Sequence, residues 1–270
     1  MPKASVKGIN ISYGVTGHGE PLVLIMGFAG PKIGWIFQNC FFKKHYQVIT
    51  FDNRGVWRTD KPHGPYSTKM MADDTVGLMD HLGIKRAHIV GVSMGGMIAQ
   101  EIAINYPERV QKLVLGCTYA SKDETGGLTP EYYKGIGFDK GSSNDELKKV
   151  AMRRLLTAVF SLSCSNRLYR ALITILAKLY PLLLSTKGVR AQYEATLEHN
   201  ALDRLHDIKA QTLVIAGTQD RLIRPGSSET IAERIPNAKL IKVKDGSHSF
   251  FIEKNGRFNR EILAFLKEEK

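Results

Sequence analysis

Ser93 lies within Gly91-Val92-Ser93-Met94-Gly95, and Gly96 follows at once. The residues before it, Ala87-His88-Ile89-Val90, are apolar and β-prone. Those after it, from Met97 to Tyr106, have helical spacing and stop at Pro107. A strand, a glycine-flanked turn and a helix in that order hold a serine hydroxyl on a sharp bend, where it can attack an electrophile. The glycines leave room for the strained backbone such a bend requires. The helix that follows directs its unpaired N–H groups toward the serine.

A serine hydroxyl is a poor nucleophile at neutral pH. It needs a base, a group that orients the base, and donors for the oxyanion that forms. Of the eight histidines, His248 in Gly246-Ser247-His248-Ser249 is best placed. It lies just beyond an expected strand ending at Val243, between small residues that let an imidazole reach over a sheet edge. His88 falls inside a strand, His81 at a helix end, and His199 and His206 in the middle of the chain or at its exit. Asp220 follows an expected strand over 212–216 through Gly217-Thr218-Gln219, where a carboxylate can meet a histidine from the next loop. A turn-capping role is its plainer reading, and Asp123 is the second candidate for the acid. The expected oxyanion donors are the backbone N–H groups of Met94 and of Phe28 in Gly27-Phe28-Ala29-Gly30. The chain order is Ser93, Asp220, His248.

These residues need a frame that brings strand ends together. Strands are expected over 6–14, 21–26, 46–51, 87–90, 110–115, 212–216 and 239–243. Helices are expected over 34–42, from Ser67 to a stop at Gly83, over 97–106, 227–234 and 257–267. That alternation predicts an α/β protein with a mostly parallel sheet covered on both faces. No strand is evident from Tyr119 to about His206. Instead, helical runs are expected over 145–160, 166–180 and 188–198, which reads as a helical cap inserted into one domain. The division is therefore 1–118 for the first part of the core, 119–206 for the cap and 207–270 for the second part. Gly135-Ile136-Gly137 lacks a third spaced glycine and follows no strand, so it is not a phosphate loop.

Composition bounds the partners. With 270 residues, 43% of them hydrophobic, the chain can bury a substantial core. It has no apolar run of about 20 residues of the kind that spans a membrane. The N-terminal residues lack the apolar core of a secretory signal. The three cysteines, Cys40, Cys117 and Cys164, form no C-x-x-C pair. A disulfide framework and a structural zinc site are thus not expected, and the cytoplasm is the expected compartment. The net charge is +12, but between Asp145 and Arg190 nine basic residues face two acidic ones. That concentration reads first as a solvated surface and second as attraction to an anionic membrane or substrate. No nucleic-acid motif accompanies it.

Gly91-Val92-Ser93-Met94-Gly95-Gly96, Phe51-Asp52-Asn53-Arg54-Gly55, Leu213 to Asp220 and Gly246-Ser247-His248 together resemble the α/β-hydrolase superfamily. The likeness covers nearly the whole chain. It is strongest to cap-bearing serine esterases related to pimeloyl-ester carboxylesterases, enol-lactonases and cofactor-free haloperoxidases. It implies an eight-stranded, mostly parallel sheet with a helical cap between strands six and seven, and acyl transfer to water without a cofactor or metal. A carboxylic ester with a hydrophobic acyl or aryl group is the implied small-molecule substrate, and the chain is expected as a monomer or homodimer. A lactonase, a C–C bond hydrolase, a perhydrolase and a non-catalytic ligand-binding relative are the alternatives. Haloalkane dehalogenases and epoxide hydrolases place an aspartate where this chain has Ser93. Many relatives have His-Gly where this chain has Met26-Gly27, and a glycine where it has Trp57. Trp57 is expected either to fill a structural gap or to reshape the pocket. Leu156, Phe160 and Phe250 are the other expected pocket residues.

Overall fold

The structure, a computed structural model, describes residues 1–122 and 186–268. The chain begins with two strands, β1 (Lys3–Val6) and β2 (Ile9–Thr16), where the sequence pattern suggests one. Lys7 and Gly8 separate them, with φ of 46° and 83°. Two successive left-handed residues make the tight antiparallel hairpin turn that favours glycine. Strands β3 (Pro21–Ile25), β4 (Gln47–Phe51), β5 (Ala87–Val92), β6 (Val110–Gly116), β7 (Gln211–Gly217) and β8 (Ala238–Val243) follow. The helices are α1 (Ile36–Phe42), α2 (Thr68–His81), α3 (Met94–Asn105), α4 (Thr186–Glu198), α5 (Gly226–Arg234), α6 (Phe250–Glu253) and α7 (Asn255–Lys267). As expected, Ser67 caps α2, accepting from the Met70 N–H, and Gly83 leaves the helix at φ 69°.

The eight strands form one sheet in the order β1-β2-β4-β3-β5-β6-β7-β8. β1 and β2 pair antiparallel, and β2 pairs antiparallel with β4. From β4 to β8 all pairing is parallel. The strands are apolar on both faces because both are covered. Leu22 and Leu24 join Trp35, Phe42, Phe258 and Ile262 on the α1 and α7 side. Val23 and Ile25 join Met71, Ile98 and Ile102 on the α2 and α3 side. Val189, Ala195, Leu202 and Leu205 belong to that second cluster too. The stretch before position 206, assigned to the cap from sequence, thus already packs with the core by Val189. The expected helices over 145–160 and 166–180 lie outside the described residues.

The sheet order changes direction at β3 and β5. The chain runs from β3 to β4 on one side and returns to β5 on the other, so the loops leaving β3 and β5 are neighbours. Such a reversal opens a crevice at the carboxyl ends of the strands. Here that crevice is closed tightly by backbone. A Cβ on Gly91 would overlap the Gly95 carbonyl oxygen, and one on Gly95 would overlap the Ile25 carbonyl oxygen. α3 can therefore start where it does only with glycine at both positions. We expect Gly95→Ala to lose most soluble folded protein, since the obstructing atom is backbone and cannot swing away. Gly226→Ala, which meets open space, should melt at or above the wild-type temperature. Yield and thermal melts of the two variants check this.

α3 is buried along nearly its whole length, and its polar side chains are matched individually. His199, 3% exposed, lies with Nδ1 2.9 Å from Thr68 Oγ1 and Nε2 3.3 Å from Gln100 Oε1. Gln100 Nε2 donates to the Tyr119 carbonyl at 3.1 Å, which fixes the amide. His199 Nε2–H then donates to Gln100, and Nδ1 accepts from Thr68. Burial lowers the imidazole pKa to about 4, outweighing the raising effect of Glu101. A histidine of the unfolded chain titrates near 6.5. As pH falls from 6.5 to 4 the unfolded state takes up the proton first, so stability present above 6.5 is progressively lost, by about 3 kcal/mol in all. The wild type should therefore lose more melting temperature between pH 7 and pH 4.5 than His199→Gln does. Equal losses in the two proteins would show that this imidazole is not the titrating group.

Candidate active site

Ser93 follows β5 directly and has φ 55° and ψ −124°. A non-glycine residue in the left-handed half of the map carries strain, and its surroundings hold it there. Its N–H donates to the Gly116 carbonyl at 2.9 Å. Its own carbonyl accepts from Gly96 N–H at 2.8 Å and Thr118 Oγ1 at 2.8 Å. The side chain is half-buried. With Met97 N–H also donating to the Ser93 carbonyl at 3.3 Å, Ser93 is held by four hydrogen bonds on its backbone while the residue stays partly exposed.

The loop after β3 lies against it, because Ile25 of β3 is in register with Gly91 of β5. A Cβ on Gly27 would lie 3.1 Å from that of Ser93. Gly30 N–H donates to the Gly27 carbonyl at 3.1 Å, closing a turn over Gly27-Phe28-Ala29-Gly30. The N–H groups of Phe28 and Met94 donate to none of the acceptors among the described residues. Both are therefore available beside Ser93, as the oxyanion reading requires. Met26, where many relatives have histidine, is buried, and its carbonyl accepts from Asn53 Nδ2 at 2.9 Å.

Asp220 and His248 come together because β7 and β8 are adjacent. Gly217 and Gly246 meet so closely that a Cβ on Gly217 would overlap the Gly246 carbonyl oxygen. Thr218 N–H donates to the Val243 carbonyl at 3.1 Å and Gln219 N–H to the Gly246 carbonyl at 2.8 Å. His248 Nδ1 then lies 2.8 Å from Asp220 Oδ2, both residues being more than nine-tenths buried. Asp220 Oδ1 accepts from the N–H groups of Leu222 and Ile223 at 2.8 and 2.9 Å. The carboxylate is held at both oxygens, so it sets the ring orientation and places the Nδ1 proton toward itself. That leaves Nε2 as the basic nitrogen. Among the described residues no hydrogen bond joins His248 to Ser93 Oγ; such a contact commonly tightens only around substrate.

Cys117, which the sequence marks only as an unpaired thiol, sits between these parts at φ 40°. Its N–H donates to the Ile215 carbonyl at 3.0 Å. Burial pushes its thiol well above the ordinary range, the charge of Asp220 pushes it further, and a hydrogen bond with the Ser93 backbone only partly opposes them. Cys117 is a neutral space-filler, not a second nucleophile. Trp57, where relatives commonly have glycine, has φ 44° and is half-buried, with Lys61 Nζ donating to its carbonyl at 2.7 Å. The backbone has kept a glycine-like conformation around a bulky residue. Phe250 is fully buried and packs edge-on against Phe258 at 5.5 Å in the core cluster with Val243. The structure places it in the core rather than on a pocket wall, because the small Ser247–Ser249 stretch turns the chain inward at α6. Leu156, Phe160 and Asp123 lie outside the described residues.

Two supporting residues were given no individual role by the sequence reading. Asp52, fully buried, pairs with Lys32 Nζ at 2.7 Å and accepts from its N–H at 2.7 Å. Gln192, also fully buried, accepts from the Ala29 N–H at 2.9 Å and donates to the Arg54 carbonyl at 2.7 Å. A signal for the second was present: Val189, Gln192, Tyr193 and Thr196 share one helical face, and a lone amide among buried residues must have polar partners.

Residues 20–255 match the model of the alpha/beta hydrolase fold family. The chain is 30% identical to the "Putative non-heme bromoperoxidase BpoC" of Mycobacterium tuberculosis, over 97% of this chain and 99% of that one. It is 28% identical to the "Putative carbamate hydrolase RutD" of Caulobacter segnis, over 92% and 91%. The crystal structure of the enol-lactonase from Burkholderia xenovorans LB400 superposes with a TM-score of 0.82 at 26% identity, covering 99% of this chain and all of that one. The expected likeness to haloperoxidases and enol-lactonases is therefore met. With its eight-stranded sheet, its strained serine after β5 and this family match, the chain belongs to the alpha/beta hydrolase fold family.

Proposed function

We propose that this hydrolase cleaves carboxylic esters through an acyl-enzyme intermediate, with Ser93, His248 and Asp220 as its triad. The observation that carries this reading is the His248–Asp220 pair at 2.8 Å, which leaves Nε2 to take a proton from a serine. Ser93 Oγ attacks the ester carbonyl as its proton passes to His248 Nε2. The Phe28 and Met94 N–H groups stabilise the oxyanion. Asp220 stabilises the imidazolium and keeps its own charge. Collapse of the tetrahedral species expels the alcohol, which takes the proton from His248. Water then attacks the acyl-enzyme, giving its proton to His248, and the second collapse releases the acid and restores the Ser93 hydroxyl.

The relatives' names favour one second reading, in which the ester is internal and the substrate a lactone; the same atoms would serve. The assignment of residues 119–206 as an inserted cap is also retained as a proposal, with its C-terminal stretch docked on the core. A small hydrophobic ester remains the proposed substrate, supported by the apolar composition of 155–160 and 172–176. The cytoplasm remains the proposed compartment, supported by the odd cysteine count.

A chain-length series of p-nitrophenyl esters beside a panel of lactones tests the reading. Wild type should turn over at least one class, and Ser93→Ala should lose activity on it by about 10³-fold or more. Asp220→Asn should lower kcat by about 10³- to 10⁴-fold while the protein stays folded, because the amide favours the wrong imidazole tautomer. Full activity in Ser93→Ala, or inactivity of wild type on every ester and lactone, would overturn the proposal.

A further inference from the structure

We infer that Gln192 is a positioning residue for the reaction: its amide holds the Gly27–Gly30 turn in the conformation that presents the Phe28 N–H to the oxyanion. This rests on the oxyanion assignment just proposed and goes beyond it by naming what keeps the loop in place.

The turn has an unusual requirement. Gly30 N–H closes it onto the Gly27 carbonyl, and Ala29, at its third position, has φ 54°. Among non-glycine residues the left-handed φ is confined to Lys7, Ala29, Trp57, Ser93, Cys117, Asn237 and Asp245 in the described chain, and Phe28 is not one of them. Negative φ at the second position and positive φ at the third is the type II pattern, which ordinarily calls for glycine at the third. Alanine there costs about 1 kcal/mol or more. Rotating the Phe28–Ala29 peptide would give a type I turn with Ala29 relaxed. Something must oppose that rotation.

Among the described residues, Gln192 hydrogen-bonds that peptide directly. Its Oε1 accepts the Ala29 N–H at 2.9 Å, and its Nε2 donates to the Arg54 carbonyl at 2.7 Å. The second bond fixes which end of the amide faces Ala29, since a flipped amide would set two donors and two acceptors against each other. Rotating the peptide would replace the Ala29 N–H with the Phe28 carbonyl and leave a buried acceptor facing another acceptor, a loss large enough to offset the alanine strain. The helix bearing Gln192 cannot drift away. Gly188, one turn earlier, meets Gly55 so closely that a Cβ on Gly188 would overlap the Gly55 carbonyl oxygen. Tyr193, the next residue, packs its ring 6.2 Å from that of Phe28. The contact therefore joins three separate parts of the chain: the loop after β3, the loop after β4, and α4.

The test uses the full-length protein and the best substrate from the series above. Gln192→Met keeps the volume and removes both bonds. It should lower kcat about 10-fold or more with KM changed less than about threefold, and weaken a boronic-acid transition-state analogue in parallel with kcat. Adding Ala29→Gly in the same protein should restore a large part of kcat, because glycine holds the left-handed φ without strain. A merely structural glutamine would not be rescued by a glycine in the oxyanion loop. If Gln192→Met does not fold, Gln192→Asn decides in its place: it stays polar but is one methylene too short to span both partners, so the same fall and the same rescue are expected. Wild-type kcat in the folded variant, or a fall that Ala29→Gly leaves unchanged, overturns the inference. Ser93→Ala measured alongside separates the two levels: if it abolishes activity while the Gln192 variants behave as wild type, only the role of Gln192 fails.

Discussion

Backbone meeting backbone at glycine is the constraint on which the rest of this molecule depends. Gly91 against Gly95, Gly95 against Ile25, Gly217 against Gly246 and Gly188 against Gly55 are contacts that no Cβ permits. The first tightens the turn from β5 into α3, and the other three join the exit of one strand to a segment from elsewhere in the chain. A parallel sheet lines up the carboxyl ends of its strands about 4.8 Å apart, so the loops that leave them compete for the same space. With side chains at those crossings the loops would splay; glycine lets them pack together without a cavity.

Close backbone brings loops together but does not orient them, and a second set of contacts does that. Asp52 takes Lys32 by side chain and main chain, fixing the chain beyond the β3 turn against the end of β4. Asn53 takes the Met26 carbonyl, and Arg54 makes a two-pronged pair with Asp74 at 2.5 and 2.6 Å. Consecutive residues of one short motif thus bind three different partners. Buried charges arranged this way are costly to strand, since removing one partner leaves the other desolvated. That makes the arrangement a specifier of one loop geometry more than a source of stability.

This division explains what could be read in the sequence. Strand and helix identity followed from apolar periodicity, and the elbow from two glycines around a serine, because these signals are local. Asp220 and His248 could be placed because the order of strand ends is a topological property that the chain order carries. β1 escaped because Lys7-Gly8 is a weak turn signal and the strand is only four residues long. Phe250, expected on the pocket, lies in the core cluster, because burial depends on which way the chain turns after Ser249. Gln192 escaped because its partners, at positions 29 and 54, are far away in the chain and are backbone atoms that any residue would supply. A side chain that binds main chain leaves little trace in its partners' identity.

Strain follows the same geography. Ala29, Trp57, Ser93 and Cys117, all at positive φ, come after β3, β4, β5 and β6 in turn, and Asp245 comes after β8. Lys7 follows β1 in the hairpin turn, and Asn237 leads into β8. At roughly 1 kcal/mol or more apiece, the strained strand exits represent stability that the core must supply, and the core does so from two apolar clusters that cover both sheet faces. At Ser93 the strain lifts a hydroxyl clear of the sheet. At Ala29 it sets the direction of a peptide, and at Cys117 it turns the chain as it leaves β6. Trp57 belongs to the series by its backbone although its side chain is the one least suited to the conformation. At Trp57 the left-handed backbone sets the direction in which the half-buried indole leaves the loop after β4.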